Sequence, residues 1–280
     1  MSNPNLVGSG LPGAQSRRSI LIAALLFMPL TGMRAQEREA DHDYDHLHFS
    51  HPLVTESPSP DTKLRLDYIG TRTSGPTGVR ENTFRLEGEY SFNQSVSLAI
   101  VTPFISRTAP AAERASGLGN IELSLKAASL AFGERGLLLG GGLSAALPTG
   151  SDTKGIGSAH IIELEPFLDA GYKRSSLELV GFAILSSTFR RRAGEEAERS
   201  LTVDFSALYT IQSRLEGLIE VTTARALIGP ESGSQQTFVA PGFKVYPFTN
   251  SKLMFGASLE LGTGVVHDTH ALLLSGFYHF

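Results

Sequence analysis

Past Asp61 the chain settles into segments of about 10 to 15 residues in which every second position is apolar, the period of a strand with two unlike faces. From Phe84 to Phe92, the residues Phe84, Leu86, Gly88, Tyr90 and Phe92 share one face, while Arg85, Glu87, Glu89 and Ser91 share the other. "IELSLKA" sets Ile121, Leu123 and Leu125 against Glu122, Ser124 and Lys126, and "LTVDFSALYTI" sets Leu201, Val203, Phe205, Ala207 and Tyr209 against Thr202, Asp204 and Ser206. Helical periodicity fits none of these three. The pattern predicts twelve strands, at 63–72, 83–92, 95–107, 119–132, 136–147, 159–173, 176–189, 199–212, 215–228, 235–248, 252–262 and 269–280.

The links between these strands alternate in length. "NQ", "GER", "RS", "SR" and "TNS" are short, whereas "RTAPAAERASG", "PTGSDTKGIGS" and "RRAGEEAE" are among the longer links at the opposite end. Short turns at one end and longer loops at the other are the arrangement of an outer-membrane barrel, with the turns in the periplasm. Strands running toward the short turns finish with aromatics: Tyr90 and Phe92, Phe132, Tyr172, Tyr209, Tyr246 and Phe248, Tyr278 and Phe280. That is the pattern of an interfacial girdle. The terminal strand "LLLSGFYHF" ends on Phe280 and resembles the recognition signal of bacterial outer-membrane barrels, which implies the barrel assembly machinery as a partner.

Hydrocarbon offers no partner to a backbone N–H or C=O, so a sheet crosses a bilayer only when it closes on itself. An even strand count returns both ends to the periplasm. The expected fold is therefore all-β: a single transmembrane antiparallel β-barrel of about 12 strands over residues 63–280, in contact with outer-membrane lipid. A soluble secreted sandwich or lipocalin-like barrel also alternates. The aromatic-ended strands, alternating loops and terminal Phe280 favour the bacterial outer membrane.

Composition agrees. Arg17 and Arg18 precede the apolar run "SILIAALLFMPLTG" and then "MRAQ", so residues 1–35 read as a signal peptide cleaved after Ala35. The run is too short for a spanning helix, which needs about 20 residues. The chain of 280 residues has no cysteine, which excludes disulfides, thiolate metal sites and a cysteine nucleophile. A net charge of −4 with scattered basic residues gives no footprint for nucleic acid.

If the apolar face meets lipid, the lumen is lined by Arg65, Asp67, Arg85, Glu87, Glu89, Glu122, Lys126, Glu163, Glu165, Asp169, Asp204, Glu216, Glu220, Lys244 and Glu260. Both signs occur, with acids in excess. Such a lining suits either a water-filled pore or ion pairs that fill a narrow barrel. Pro103, Pro166 and Pro241 fall inside strands and remove ladder donors, so a bulge or kink is expected at each. It would open the wall laterally, shape the lumen, or be a tolerated irregularity. Some twelve-stranded barrels are lipid hydrolases, but His160, His267, His270 and His279 come without a serine motif such as G-x-S-x-G, and no catalytic residue is expected.

Residues 36–62 form a polar periplasmic leader, "DHDYDHLHFSHPLVTESPSPD" from Asp41 onward. His42, His46, His48 and His51, with Asp43 and Asp45, supply ligands in the number that Zn2+, Cu2+ or Ni2+ requires, though in no recognised closed motif. The alternative is a flexible leader that needs no cofactor. Pro52, Pro58 and Pro60 hold the later part extended, which places the histidines at or inside the periplasmic mouth.

"GLGNIELSLKAA" (117–128) and "GGLSAALPTGSDTKGIGS" (141–158) resemble the outer-membrane family named for the MetA pathway of phenol degradation. That family typically shows G-x-G-D at a strand start, then L-P-T-G and a G-x-G. Here Asn120 stands in place of the Asp, while Leu147, Pro148, Thr149, Gly150, Gly155 and Gly157 fit. The resemblance implies a channel or transporter, with small organic molecules as solutes. Two other readings stay open: a metal-binding or metal-transport barrel using the histidine-rich leader, and a structural or adhesive barrel whose loops, 190–198 among them, bind partners.

Overall fold

The computed structural model describes residues 47–280 apart from 76–77, 111–113, 191–195 and 249–250. The expected signal peptide, and with it His42, Asp43, Asp45 and His46, lies outside these residues. The strands are β1 (Lys63–Thr73), β2 (Arg80–Asn93), β3 (Val96–Thr108), β4 (Ala115–Leu118), β5 (Ile121–Phe132), β6 (Leu137–Leu147), β7 (Ile162–Arg174), β8 (Leu177–Arg190), β9 (Arg199–Gln212), β10 (Leu215–Ile228), β11 (Gln235–Val245), β12 (Leu253–Thr263) and β13 (Thr269–His279). Each pairs antiparallel with its neighbours, and β1 pairs with both β2 and β13, from Lys63↔His279 to Thr73↔Thr269. Since β4 and β5 share the partner β3, the thirteen segments make a closed wall of twelve strands.

Alternation sorts the wall into two surfaces. Leu66, Phe84, Leu86, Leu123, Leu168, Phe205, Ile219, Phe243, Phe255 and Leu272 are exposed on the outer one, as a lipid-facing band requires. Phe92, Phe132, Tyr209, Phe248, Tyr278 and Phe280 are exposed at the end with the short turns. Tyr246 departs from the expected girdle: β11 stops at Val245, and the ring packs against the interior apolar cluster.

The strand expected at 119–132 starts earlier, at Ala115, and breaks at Gly119–Asn120. The break faces Pro103, which has no N–H to offer; Gly119 N instead donates to Pro103 O at 2.9 Å. β4 pairs with Phe104–Arg107 and β5 with Val96–Val101, leaving Thr102 and Pro103 between them. The other two prolines act alike. The β7–β8 ladder is interrupted between Leu164↔Ser187 and Phe167↔Ile184, beside Pro166, and the β11–β12 ladder between Val239↔Leu261 and Gly242↔Ser258, beside Pro241. On its other side each proline sits in an unbroken register, opposite Arg85, Leu143 and Ile219 respectively.

Asn120 also organises the long loop after β6. Its Oδ1 accepts from Gly150 N (3.2 Å) and Ser158 N (2.7 Å), the two bonds a carboxylate there would accept, so Asn serves in place of Asp. Gly155 and Gly157 have φ of +62° and +66°, which a side chain would strain. The motif residues of this loop thus have structural work: Thr149 Oγ1 accepts from Ile121 N and donates to Gly119 O across the strand break.

Candidate functional site: a plugged lumen

Residues 47–61 carry no strand or helix and run inside the barrel at the end bearing the short turns. Phe49 and Leu53 are fully buried. Three prolines keep the segment out of the sheet, so its backbone groups need other partners, and the wall supplies them. Glu220 accepts from the N–H groups of Leu53 (3.1 Å), Val54 (2.9 Å) and Thr55 (2.9 Å), and from Ser206 Oγ. Glu178 accepts from Ser50 N at 2.7 Å, while Ser50 Oγ donates to Glu216. Carbonyls are met by cations: Lys244 Nζ donates to His51 O (2.9 Å), Lys173 Nζ to His48 O (3.0 Å) and Arg65 to Leu53 O. Within the segment, Ser59 Oγ accepts from Phe49 N and donates to Leu47 O.

The apolar contacts are shaped with equal economy. Phe49 and Leu53 join a cluster with Leu138, Phe167, Val180, Phe182, Leu208, Leu218, Met254, Leu273 and Phe277. Gly171 and Gly256 make room for the segment: a Cβ would come within 2.6 Å of the Phe49 ring at the first and 2.4 Å of Leu53 at the second. The inward face therefore carries an apolar cluster beside its charged residues.

A second network lies on β1, β2 and β5. Lys63 Nζ reaches Glu87 and Glu89, each at 2.8 Å, and Glu56 of the plug at 3.3 Å. Lys126 also reaches Glu89, and Asp67 accepts from Arg65 (2.9 Å), Arg85 (2.7 Å) and Ser275. Glu56 is half-exposed; burial would raise its carboxyl, but Lys63 and Arg65 outweigh this and hold it well below the ordinary 4.5.

All fifteen expected lumen residues stand on the inward parity. Arg65, Asp67, Glu87, Glu89, Glu122, Lys126, Asp169, Asp204, Glu216, Glu220 and Lys244 are buried, and Arg85, Glu163, Glu165 and Glu260 half-buried. The plug gathers Arg65, Glu216, Glu220 and Lys244; Glu122, Glu163, Glu165 and Glu260 stand nearer the long-loop end. Sequence reasoning missed Lys63, at the strand's first position, and Glu178, although Glu178 between Leu177 and Leu179 carries the same alternation.

Of the expected metal ligands, His48 and His51 are described, and both face Asp61. His279 from β13 joins them. The other histidines considered for catalysis sit at the opposite end. His160 Nδ1 contacts Asp152 and Ser158 in the long loop after β6, and His267 Nδ1 contacts Gly264 O.

Comparison with known proteins places the fold. No protein-family model matches the chain, and no curated protein matches it. Among solved structures, the COG4313 outer membrane channel from Pseudomonas putida F1 is similar with a TM-score of 0.59 and 15% identity, over 79% of this chain and 96% of that one. The translocator domain of autotransporter NalP from Neisseria meningitidis matches with a TM-score of 0.53 and 12% identity, over 78% and 88%. The NanC porin gives 0.52 and 10%, over 77% and 100%. At these identities the likeness is one of fold: the chain is a closed twelve-stranded barrel of the outer-membrane type.

Proposed function

We propose that this protein is a channel for small solutes in the bacterial outer membrane, closed at its periplasmic end by residues 47–61. The observation that carries this reading is the plug itself, an unpaired segment fastened inside a closed barrel through wall side chains rather than through the sheet. Its bonds to charged wall groups, about 1.5–3 kcal/mol each, include none of the wall's ladder, so the segment can leave without unpairing the strands. The likeness in fold to an outer membrane channel and a porin supports the same reading. Departure of Phe49 and Leu53 would bare Phe167, Phe182, Leu208, Leu218 and Met254 beside paired charges. That mixed lining suits small organic molecules better than bare ions, and the carboxylates nearer the long loops disfavour anions. The terminal strand ending on Phe280 is the segment the assembly machinery would engage.

Planar-bilayer recording tests the reading. The full chain should conduct rarely, and a variant lacking 47–61 should show discrete, long-lived conductance. A folded barrel that conducts in neither form, and alters no solute uptake, would refute it.

A further inference from the structure

Where the plug meets β1, three imidazoles converge on one carboxylate oxygen. Asp61 Oδ2 lies 3.4 Å from His48 Nε2, 3.0 Å from His51 Nε2 and 2.7 Å from His279 Nδ1. We propose that His48, His51, Asp61 and His279 form a binding site for one divalent transition-metal ion of the zinc class, which staples the plug to the last strand.

Geometry and chemistry both point there. Ligands held about 2.1 Å from a tetrahedral zinc ion stand about 3.4 Å from one another, and the three ring nitrogens lie 2.7, 3.0 and 3.4 Å from Asp61 Oδ2. The ligating atoms of His48, His51 and Asp61 all lie within 4.8 Å of one another, so small rotations admit an ion. Three imidazoles and a carboxylate select zinc, copper or nickel over magnesium and calcium, which take oxygen ligands.

The surroundings fix the rings. His51 is 2% exposed and stacks on Phe277, with ring centroids 5.9 Å apart; His279 lies 5.2 Å away. His48 is half-exposed, which gives an ion a way in. One contact opposes binding: Lys63 Nζ stands 3.2 Å from His51 Nδ1, the nitrogen that must carry the proton once Nε2 ligates. Lys63 has three hydrogens and three carboxylates to receive them, Glu56, Glu87 and Glu89, so the His51 contact is dispensable. The four ligands come from the plug, from the residue that ends it, and from β13, so an ion there ties the gate shut. The site does not depend on conduction, and it can be tested whether or not the barrel proves to be a channel.

The test is titration of the detergent-purified full chain with Zn2+ alone, followed by calorimetry, with Co2+ absorption reporting coordination. One ion per chain should bind with micromolar or better affinity, and Co2+ should give the intense visible bands of a tetrahedral site. His51→Ala and, separately, the milder His279→Asn should each weaken binding by at least about 10-fold, while His267→Ala, at the far end, should not. Hydrogen exchange of 47–61 should slow with Zn2+ in the parent chain and not in His279→Asn. Affinity no better than millimolar overturns the proposal, as does binding that survives both His51→Ala and His279→Asn.

Discussion

The two sides of the lumen that grip residues 47–61 both carry charge but use it differently. On β1, β2 and β5 the charges answer one another: Lys63 with Glu87 and Glu89, Lys126 with Glu89, and Asp67 with Arg65 and Arg85. On β8, β10 and β11, Glu220 answers the backbone of the plug, and Glu178 and Lys244 do so beside their wall partners Lys173 and Glu216, set among Val180, Phe182, Leu208 and Leu218. The first network is nearly complete without the plug; the second is not. A self-paired side stabilises the barrel wall, and a plug-paired side holds the plug.

The largest effect should come from breaking the self-paired side. Lys63→Ala leaves Glu87 and Glu89 facing each other without their shared cation, and breaking a buried pair this way costs about 3–5 kcal/mol. The urea midpoint of barrel unfolding should fall clearly. An unchanged midpoint would mean that water already screens this corner. Next is Glu220→Ala, which strips the acceptor from three consecutive N–H groups, at about 1–3 kcal/mol for each one left unsatisfied. Release of the plug to water caps the loss. The expected signature is therefore lost exchange protection over 47–61 and more frequent channel opening, with the unfolding midpoint of the wall nearly unmoved. If the wall melts earlier as well, the division between the two sides fails.

That division also marks what the chain discloses before it is folded. The wall is periodic, so its strands, its inward parity and β1 beginning at Lys63 follow from alternation alone, as do the interruptions at Pro103, Pro166 and Pro241. The plug has no period. "HPLVTESPSPD" shows only that it avoids helix and sheet, and nothing local says that Glu220, more than 160 residues onward, accepts its N–H groups. Alternation marks Glu220 as inward-facing yet is silent on its partner. The cluster of imidazoles around Asp61 was half legible for the same reason: His48 and His51 stand out in a histidine-rich run, whereas Asp61 and His279 join them only because barrel closure pairs Lys63 with His279. Gly171 and Gly256, which admit Phe49 and Leu53, carry no signal in the sequence apart from being glycines in strands.

The apolar grip of the gate offers a smaller test. Leu53→Ala removes a fully buried side chain from the cluster, and core truncations of this kind cost about 2–5 kcal/mol. A segment that can shift should fall at the low end, about 2 kcal/mol. Gly256→Ala approaches the same contact from the wall: its Cβ would meet the tip of Leu53 at 2.4 Å, and a flexible tip can turn aside. Both variants should raise exchange over 47–61, the truncation more than the insertion. The reverse order would show that the wall, and not the plug, is the rigid partner.

The smallest effect tests the plug carboxylate that reaches the cations of the self-paired side. Glu56 reaches Lys63 at 3.3 Å and Arg65 at 3.6 Å, and its folded pKa lies below the ordinary 4.5. A depressed carboxyl means that the released segment binds the proton more readily than the docked one. Docking is therefore helped by Glu56 at every pH above about 4.5, and that help fades as pH falls from there toward the lower folded value. Glu56→Gln should loosen the plug slightly at pH 7, by an amount that solvent at this half-exposed carboxylate keeps small. Acid should narrow the difference between variant and parent, because protonated Glu56 carries no more charge than glutamine. Exchange of 47–61 measured for both chains from pH 7 down to pH 3 follows this convergence. A difference that does not narrow between pH 7 and pH 3 would mean that Glu56 holds the plug by shape or hydrogen bonding rather than by charge.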